Sequence, residues 1–331
     1  MAKTDQAVVI GIRTYPSMGS LRGPCRDAEE FRKWLLRTDG GDVPENNIHF
    51  LITDDFPNPD ETDHPWANDI ERLFRPLADK GLELVHGRES LGRRLYIYMA
   101  GHGCSQSGQM DEVALLAADA GSAVSPNVAA TRWAKWFRTN AVFDEIVLIM
   151  DCCRTTNPFF TMSVPPVGPT GSGRRNKVKT FYAFATCDGA AAREAERPDG
   201  TWAGIFTDAL IEAFDSAVAD ENGRVNGSAV ANYVHQKIGE KQTPEFDVKH
   251  RKEILFAQRD TVSTKQVPIR LEPFAGGETV VIQDHAKKEQ KRLTPDTASF
   301  EVPLEAGIYK AIVENTARHQ LFEVPTDEIV L

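Results

Sequence analysis

The 331-residue chain has no apolar run approaching 18 residues, which excludes a transmembrane helix. Its opening, Met1-Ala-Lys-Thr-Asp-Gln6, lacks a secretory h-region, and the short run Ala7–Ile12 reads as a first strand. Cysteine is sparse: five residues (25, 104, 152, 153 and 187), odd in number, two of them adjacent, with no framework spacing. That argues against structural disulfides and for a reducing cytoplasm. No C-x2-C or H-x3-H spacing is present, so no structural zinc is expected. Excess positive charge is missing as well. A formal net charge of -10 opposes a nucleic-acid or anionic-membrane binder and suits cationic partners. Repeats of solenoid period are absent.

What is present is an alternation of strand-like and helical patterns. Apolar runs at Ala7–Ile12, Ile48–Thr53, Leu95–Ala100, Glu145–Met150, Thr180–Thr186 and Glu253–Ala257 are separated by amphipathic stretches. The helices are expected near 25–37, 66–86, 129–140, 205–219 and 227–241. Short, nearly continuous apolar strands with helices between them predict a mostly parallel sheet covered on both faces. After about Val262 the helical period fades, and 261–331 reads as a small all-β module with Gly-Gly, Pro-Asp and Ala-Gly turns. The expected domains are therefore 1–260 and 261–331. Met162–Lys179, with Pro-Pro-Val-Gly-Pro-Thr-Gly-Ser-Gly-Arg-Arg, has the composition of a flexible, exposed linker.

Two segments carry chemistry: Tyr98-Met-Ala-Gly-His102-Gly103 and Leu148-Ile-Met-Asp151-Cys152-Cys153-Arg154. Each puts a reactive side chain just past a buried strand, where parallel sheets build their sites. A thiolate attacks where a thiol does not, and a neighbouring imidazole can stabilise it and later protonate a leaving amine. The backbone N–H groups of Gly103 and Cys153 are natural oxyanion donors there. Taken singly, a cysteine at a strand end is ordinary core; the pairing is what points to catalysis.

These segments resemble the caspase-like peptidases, above all metacaspases and their bacterial relatives. Leu21-Arg-Gly-Pro-Cys-Arg-Asp27-Ala28, Phe184-Ala-Thr186 and Gly204-Ile-Phe206-Thr207-Asp-Ala-Leu210 extend the resemblance over roughly residues 5–258. The 51 residues between His102 and Cys153 also match caspase-type spacing. The resemblance implies a three-layer αβα sandwich and a cysteine endopeptidase with Cys153 as nucleophile and His102 as its base. Cys152 then falls at the family's variable position. Asp27 and Asp151 match the acidic S1 pair, which implies cleavage after Arg or Lys; the plainer reading makes them a helix N-terminal charge and a turn former. The linker holds Arg174, Arg175, Lys177 and Lys179, so self-processing there is expected. Where metacaspases continue His-Ser-Gly after the nucleophile, this chain has Arg154-Thr155-Thr156.

No metal or cofactor is required by these residues. Calcium, which activates many metacaspases, has Asp111, Glu112 and Asp119 as candidate ligands, though the family's long acidic insertion is missing. The expected partners are protein substrates with a basic P1 residue. The alternative is a catalytically silent caspase-like adaptor that binds through its C-terminal β module; a further rival is an amidase using Cys153. The oligomeric state is left open, with the last strand, Glu253–Ala257, as a candidate dimer edge.

Overall fold

The structure is a computed structural model that describes residues 5–86, 89–106, 112–157, 160–168, 171–220, 222–248, 253–258, 264–324, 326 and 328–331. In chain order its elements begin with β1 (Gln6–Gly11), α1 (Pro24–Leu36), β2 (Ile48–Ile52), α2 (Ala67–His86), β3 (Gly92–Gly101), β4 (Gly103–Gln106), β5 (Val113–Leu116) and β6 (Asn127–Val128). There follow α3 (Ala130–Asn140), β7 (Phe143–Cys152), β8 (Thr155–Asn157), β9 (Lys179–Phe184), β10 (Glu194–Glu196), β11 (Trp202–Gly204), α4 (Ile205–Ser216), β12 (Arg224–Asn226), α5 (Gly227–Ile238), β13 (Glu245–Val248) and β14 (Leu255–Gln258). The C-terminal strands are β15 (Thr264–Arg270), β16 (Val280–Asp284), β17 (Glu289–Leu293), β18 (Ser299–Glu305), β19 (Gly307–Val313), β20 (His319–Val324) and β21 (Ile329–Val330). Among the described residues no helix is long and apolar enough to cross a membrane.

The chain divides into two compact units, Met1–Ile211 with Ile238–Ile254, and Glu212–Lys237 with Leu255–Leu331. The second unit thus takes in α5 as well as the β module, a different partition from a single cut after residue 260.

In the first unit a six-stranded sheet runs β13-β9-β7-β3-β1-β2, parallel except where β13 meets β9. Side chains alternate between its faces because the strand period is two. Leu95, Ile97 and Met99 of β3, with Leu148, Met150 and Cys152 of β7, join the core formed with Phe74 of α2 and Trp133 and Phe137 of α3. The intervening residues face the other way, where Tyr98 stacks on Phe31 of α1 at 4.7 Å. Helix α1 opens with Pro24, whose missing N–H costs nothing in a first turn, and buries Ala28, Phe31 and Leu35 on one stripe.

The expected last strand does not close this sheet. Residues Leu255–Gln258 pair with β12, and the sheet edge is Glu245–Val248, a half-exposed antiparallel strand whose Glu-Phe-Asp-Val sequence lacks a buried strand's apolar run. The described linker residues also differ from the free loop that their composition predicts. Met162 is buried in the core beside α3. Arg132 donates to the carbonyls of Met162 and Ser163, Trp136 Nε1 to Gly168 O, and Ser172 N–H to Thr139 O. The described linker residues Met162–Gly168 and Ser172 are strapped along α3.

In the second unit two antiparallel sheets, β17-β16-β19-β20 and β18-β15 extended by β21, share one core of Ile269, Ile282, Val302, Tyr309 and Phe322.

Candidate active site

β3 and β7 are neighbours, with Gly101 opposite Cys152. Adjacent strands lie about 4.8 Å apart, so the residue after each, His102 and Cys153, leaves the sheet beside the other. Both line a cavity of about 160 Å³ together with Asp27, Asp151, Glu194 and Gly204. A larger cavity of about 740 Å³ lies in the C-terminal unit, but it holds no cysteine. There Asp220 and Asp284 are already spent accepting turn N–H groups.

His102 Nε2 lies 2.9 Å from the carbonyl oxygen of Gly19. A carbonyl only accepts, so Nε2 carries the proton and Nδ1 is the basic nitrogen. The backbone N–H of His102 donates to Tyr15 Oη at 2.9 Å, and the two rings sit 4.6 Å apart. The Leu116 N–H bonds to His102 O, which makes Gly103 and Leu115 a narrow, non-bonded antiparallel pair. The Gly103 N–H therefore turns away from β5, toward β8 and the chain leaving Cys153. Gly103 has no room for a side chain: a Cβ there would overlap Cys152 Sγ and stand 2.7 Å from Cys153 O.

The two cysteines differ by one strand step. Cys152, the last residue of β7, is 1% exposed and belongs to the core on the α2–α3 side, where burial holds its thiol far above the ordinary value. Cys153 is off the strand and faces the cavity. Burial raises its pKa and Asp151 adds to this, while the Ala192 backbone N–H pulls the other way.

Asp151 points to the α1 face. Its Oδ2 accepts from the Thr207 hydroxyl at 2.6 Å and the Thr207 N–H at 3.2 Å, and Tyr98 donates to that hydroxyl at 2.7 Å. Asp27 Oδ2 accepts the Gly204 N–H at 2.8 Å, while its buried Oδ1 has no hydrogen-bond partner. Gly204 lies between the two carboxylates: a Cβ on it would overlap Asp151 Oδ2. Burial drives both upward, Asp151 to about 6, and the neighbouring Asp151 charge raises Asp27 further.

Sequence reasoning missed Glu194. The hairpin of β10 and β11 brings it over the start of α1, where its carboxylate accepts the N–H groups of Arg22 and Gly23. Its charge raises the pKa of both aspartates. It also missed Tyr15, and the role of Arg154. That side chain is 2% exposed, pairs with Glu245 and donates to Thr186 O, and its backbone ties down Gly189 and Ala190. The departure from His-Ser-Gly is thus an anchor for the loop carrying Ala192.

Arg174, Arg175, Lys177 and Lys179 do not come to the site. Arg174 pairs with Asp144 and Lys179 with Glu145, at the opposite end of β7 from Cys153. Nine strand steps of about 3.3 Å put that end roughly 30 Å away. Of the calcium candidates, Asp111 lies outside the described residues and Glu112 is paired with Arg132 and Lys135. Burial raises the pKa of Asp119. Among the described residues no group of three or more His, Cys, Asp or Glu is arranged to hold a metal.

Residues 4–255 match the family model of the caspase domain, peptidase C14. A probable protease from a Desulfuromonadales bacterium is 25% identical over 219 residues, covering 62% of this chain and 25% of that protein. The chain thus spans a quarter of the length of that curated relative. The crystal structure of caspase-1 from Spodoptera frugiperda aligns with a TM-score of 0.47 at 13% identity, over 78% of this chain and 92% of that one. With the family match running from the first strand through residue 255, well over half of its length, the chain belongs to the caspase-domain family, peptidase C14.

Proposed function

We propose that this chain is a cysteine peptidase that cleaves proteins after Arg or Lys, using Cys153 and His102. The observation that carries the specificity is the buried Asp27 Oδ1, without a donor and next to Asp151, in the cavity that Cys153 faces. Two close carboxylates repel, and burial resists their ionisation. A P1 guanidinium or ammonium relieves both costs by donating charge-assisted hydrogen bonds, each worth about 1.5–3 kcal/mol. Glu194 adds a third negative charge at that cavity.

In the reaction His102 Nδ1 takes the proton from Cys153 Sγ, and the thiolate attacks the scissile carbonyl carbon. The developing oxyanion is received by the N–H groups of Gly103 and Cys153. His102 then protonates the leaving amine, and water, deprotonated by His102, hydrolyses the thioester. Processing in the linker is part of the same reading, and the distance of Arg174 and Arg175 from Cys153 favours one molecule cutting another.

A panel of otherwise identical peptides with Arg, Lys or Asp at P1 tests the assignment. Arg and Lys substrates are expected to turn over; preference for Asp overturns it.

A further inference from the structure

The structure assigns Tyr15 as the positioning residue of His102. This rests on the catalytic reading of His102 and goes beyond it by naming what holds the imidazole. The side chain of Tyr15 is 1% exposed. Its hydroxyl has one proton to give and donates it to Leu116 O at 3.2 Å, while it accepts the His102 N–H at 2.9 Å. One oxygen thus joins the end of β5 to the backbone of the catalytic histidine.

The ring and the turn that follows make two more contacts with the same residue. The Tyr15 ring packs against the imidazole, centroids 4.6 Å apart and tilted by 59°. The Tyr15 carbonyl accepts the N–H groups of Met18 and Gly19, both at 3.1 Å, which winds the chain so that Gly19 O meets His102 Nε2. Gly19 adopts φ +96, a conformation that other residues rarely take. Gly101 makes the room: a Cβ at that position would stand 2.5 Å from the phenol oxygen. Backbone, ring face and Nε2 of His102 are all held from Tyr15, leaving Nδ1 free for the thiol.

The decisive variant is Tyr15→Phe, which keeps the ring. It is assayed beside Cys153→Ala and His102→Ala on a P1-Arg peptide, with melting temperature followed throughout. If the hydroxyl acts through His102, kcat falls about tenfold, the rate equivalent of one lost hydrogen bond of about 1.4 kcal/mol, with KM nearly constant. Alkylation of Cys153 by iodoacetamide, read by mass spectrometry, should shift its midpoint to higher pH. In the His102→Ala background Tyr15→Phe should cost nothing further. A lower melting temperature with wild-type kcat and an unshifted alkylation profile makes Tyr15 merely structural and overturns the assignment. So does an equal loss in the His102→Ala background.

If Tyr15→Phe does not fold, p-aminophenylalanine at position 15 keeps the ring and the donor to Leu116 but is a poor acceptor for the His102 N–H. The same kcat loss is expected, and wild-type kcat overturns the assignment. Full turnover by Cys153→Ala or His102→Ala sinks the catalytic reading itself, whichever way Tyr15→Phe behaves.

Discussion

Replacing Asp151 by Asn should make the free enzyme more stable and the catalyst worse, and pH separates the two effects. Asp151 is buried, and that burial raises its pKa from the ordinary carboxyl value near 3.8 to about 6. A carboxyl whose folded pKa exceeds its unfolded one favours folding while protonated, and that advantage is lost as pH rises through the folded value. At about 1.4 kcal/mol per tenfold change in proton affinity, the loss approaches 3 kcal/mol by pH 8. Asn keeps a carbonyl oxygen for the two Thr207 donors and carries no charge. Its melting temperature should exceed that of wild type at pH 8, with a ceiling of roughly 10 °C at about 2–4 °C per kcal/mol. The gap should narrow at pH 5, where Asp151 is largely protonated. Meanwhile kcat/KM on a P1-Arg peptide should fall roughly 10- to 150-fold, the cost of one charge-assisted bond of about 1.5–3 kcal/mol. A P1-citrulline peptide, of similar shape but uncharged, should discriminate little between the two proteins. Thermal melts at both pH values and initial rates with both peptides decide. An Asp151→Asn variant that melts below wild type at pH 5 and pH 8 alike, or cleaves the P1-Arg peptide unchanged, refutes the reasoning.

Cys153→Ala should abolish turnover, whereas Cys152→Ala should keep most of it and lower the melting temperature, because Cys152 fills core space at 1% exposure; the reverse outcome in a peptide assay moves the nucleophile by one position. Gly103→Ala should cost more than about 100-fold in kcat by forcing an oxyanion donor off its place, since the new Cβ meets Cys153 O as well as Cys152 Sγ; kinetics with KM followed separately would show wild-type kcat if this is wrong. Linker processing should be second order: full-length Cys153→Ala protein mixed with active enzyme is cut at a rate set by enzyme concentration. Cleavage of dilute wild type at a concentration-independent rate, followed by mass spectrometry, would contradict the separation of Arg174 from Cys153.

The central strands, the five helices and the neighbouring positions of His102 and Cys153 could be read from the chain because each rests on a local signal. A ten-residue strand with one exposed position, such as Phe143–Cys152, announces itself as an apolar run. Strand period explains the cysteine doublet without further information: one step along β7 turns Cys152 to the core and Asp151 to α1. The edge strand Glu245–Val248 had no such signal, since an edge can be polar on its open side. The linker misled for a different reason. Its Gly, Pro and Ser content reports low intrinsic order, while its fixing depends on donors that α3 offers from outside the segment.

Glu194 shows where local reading ends. It stands 41 residues after Cys153 on a three-residue strand beside a second glutamate, Glu196, which is exposed, and nothing in Arg-Glu-Ala-Glu distinguishes one from the other. The distinction arises when β10 pairs with β11, Glu194 opposite Gly204, and the hairpin meets the turn before α1. Free N–H groups at Arg22 and Gly23 then receive one carboxylate and leave the other in solvent. Gly204 is the residue that could have pointed there. It donates to Asp27, tolerates no Cβ beside Asp151 and sits opposite Glu194, so all three acids meet around one glycine. A glycine that ends a short strand and opens a helix is commonplace in sequence. Its place among three carboxylates exists only in the folded chain.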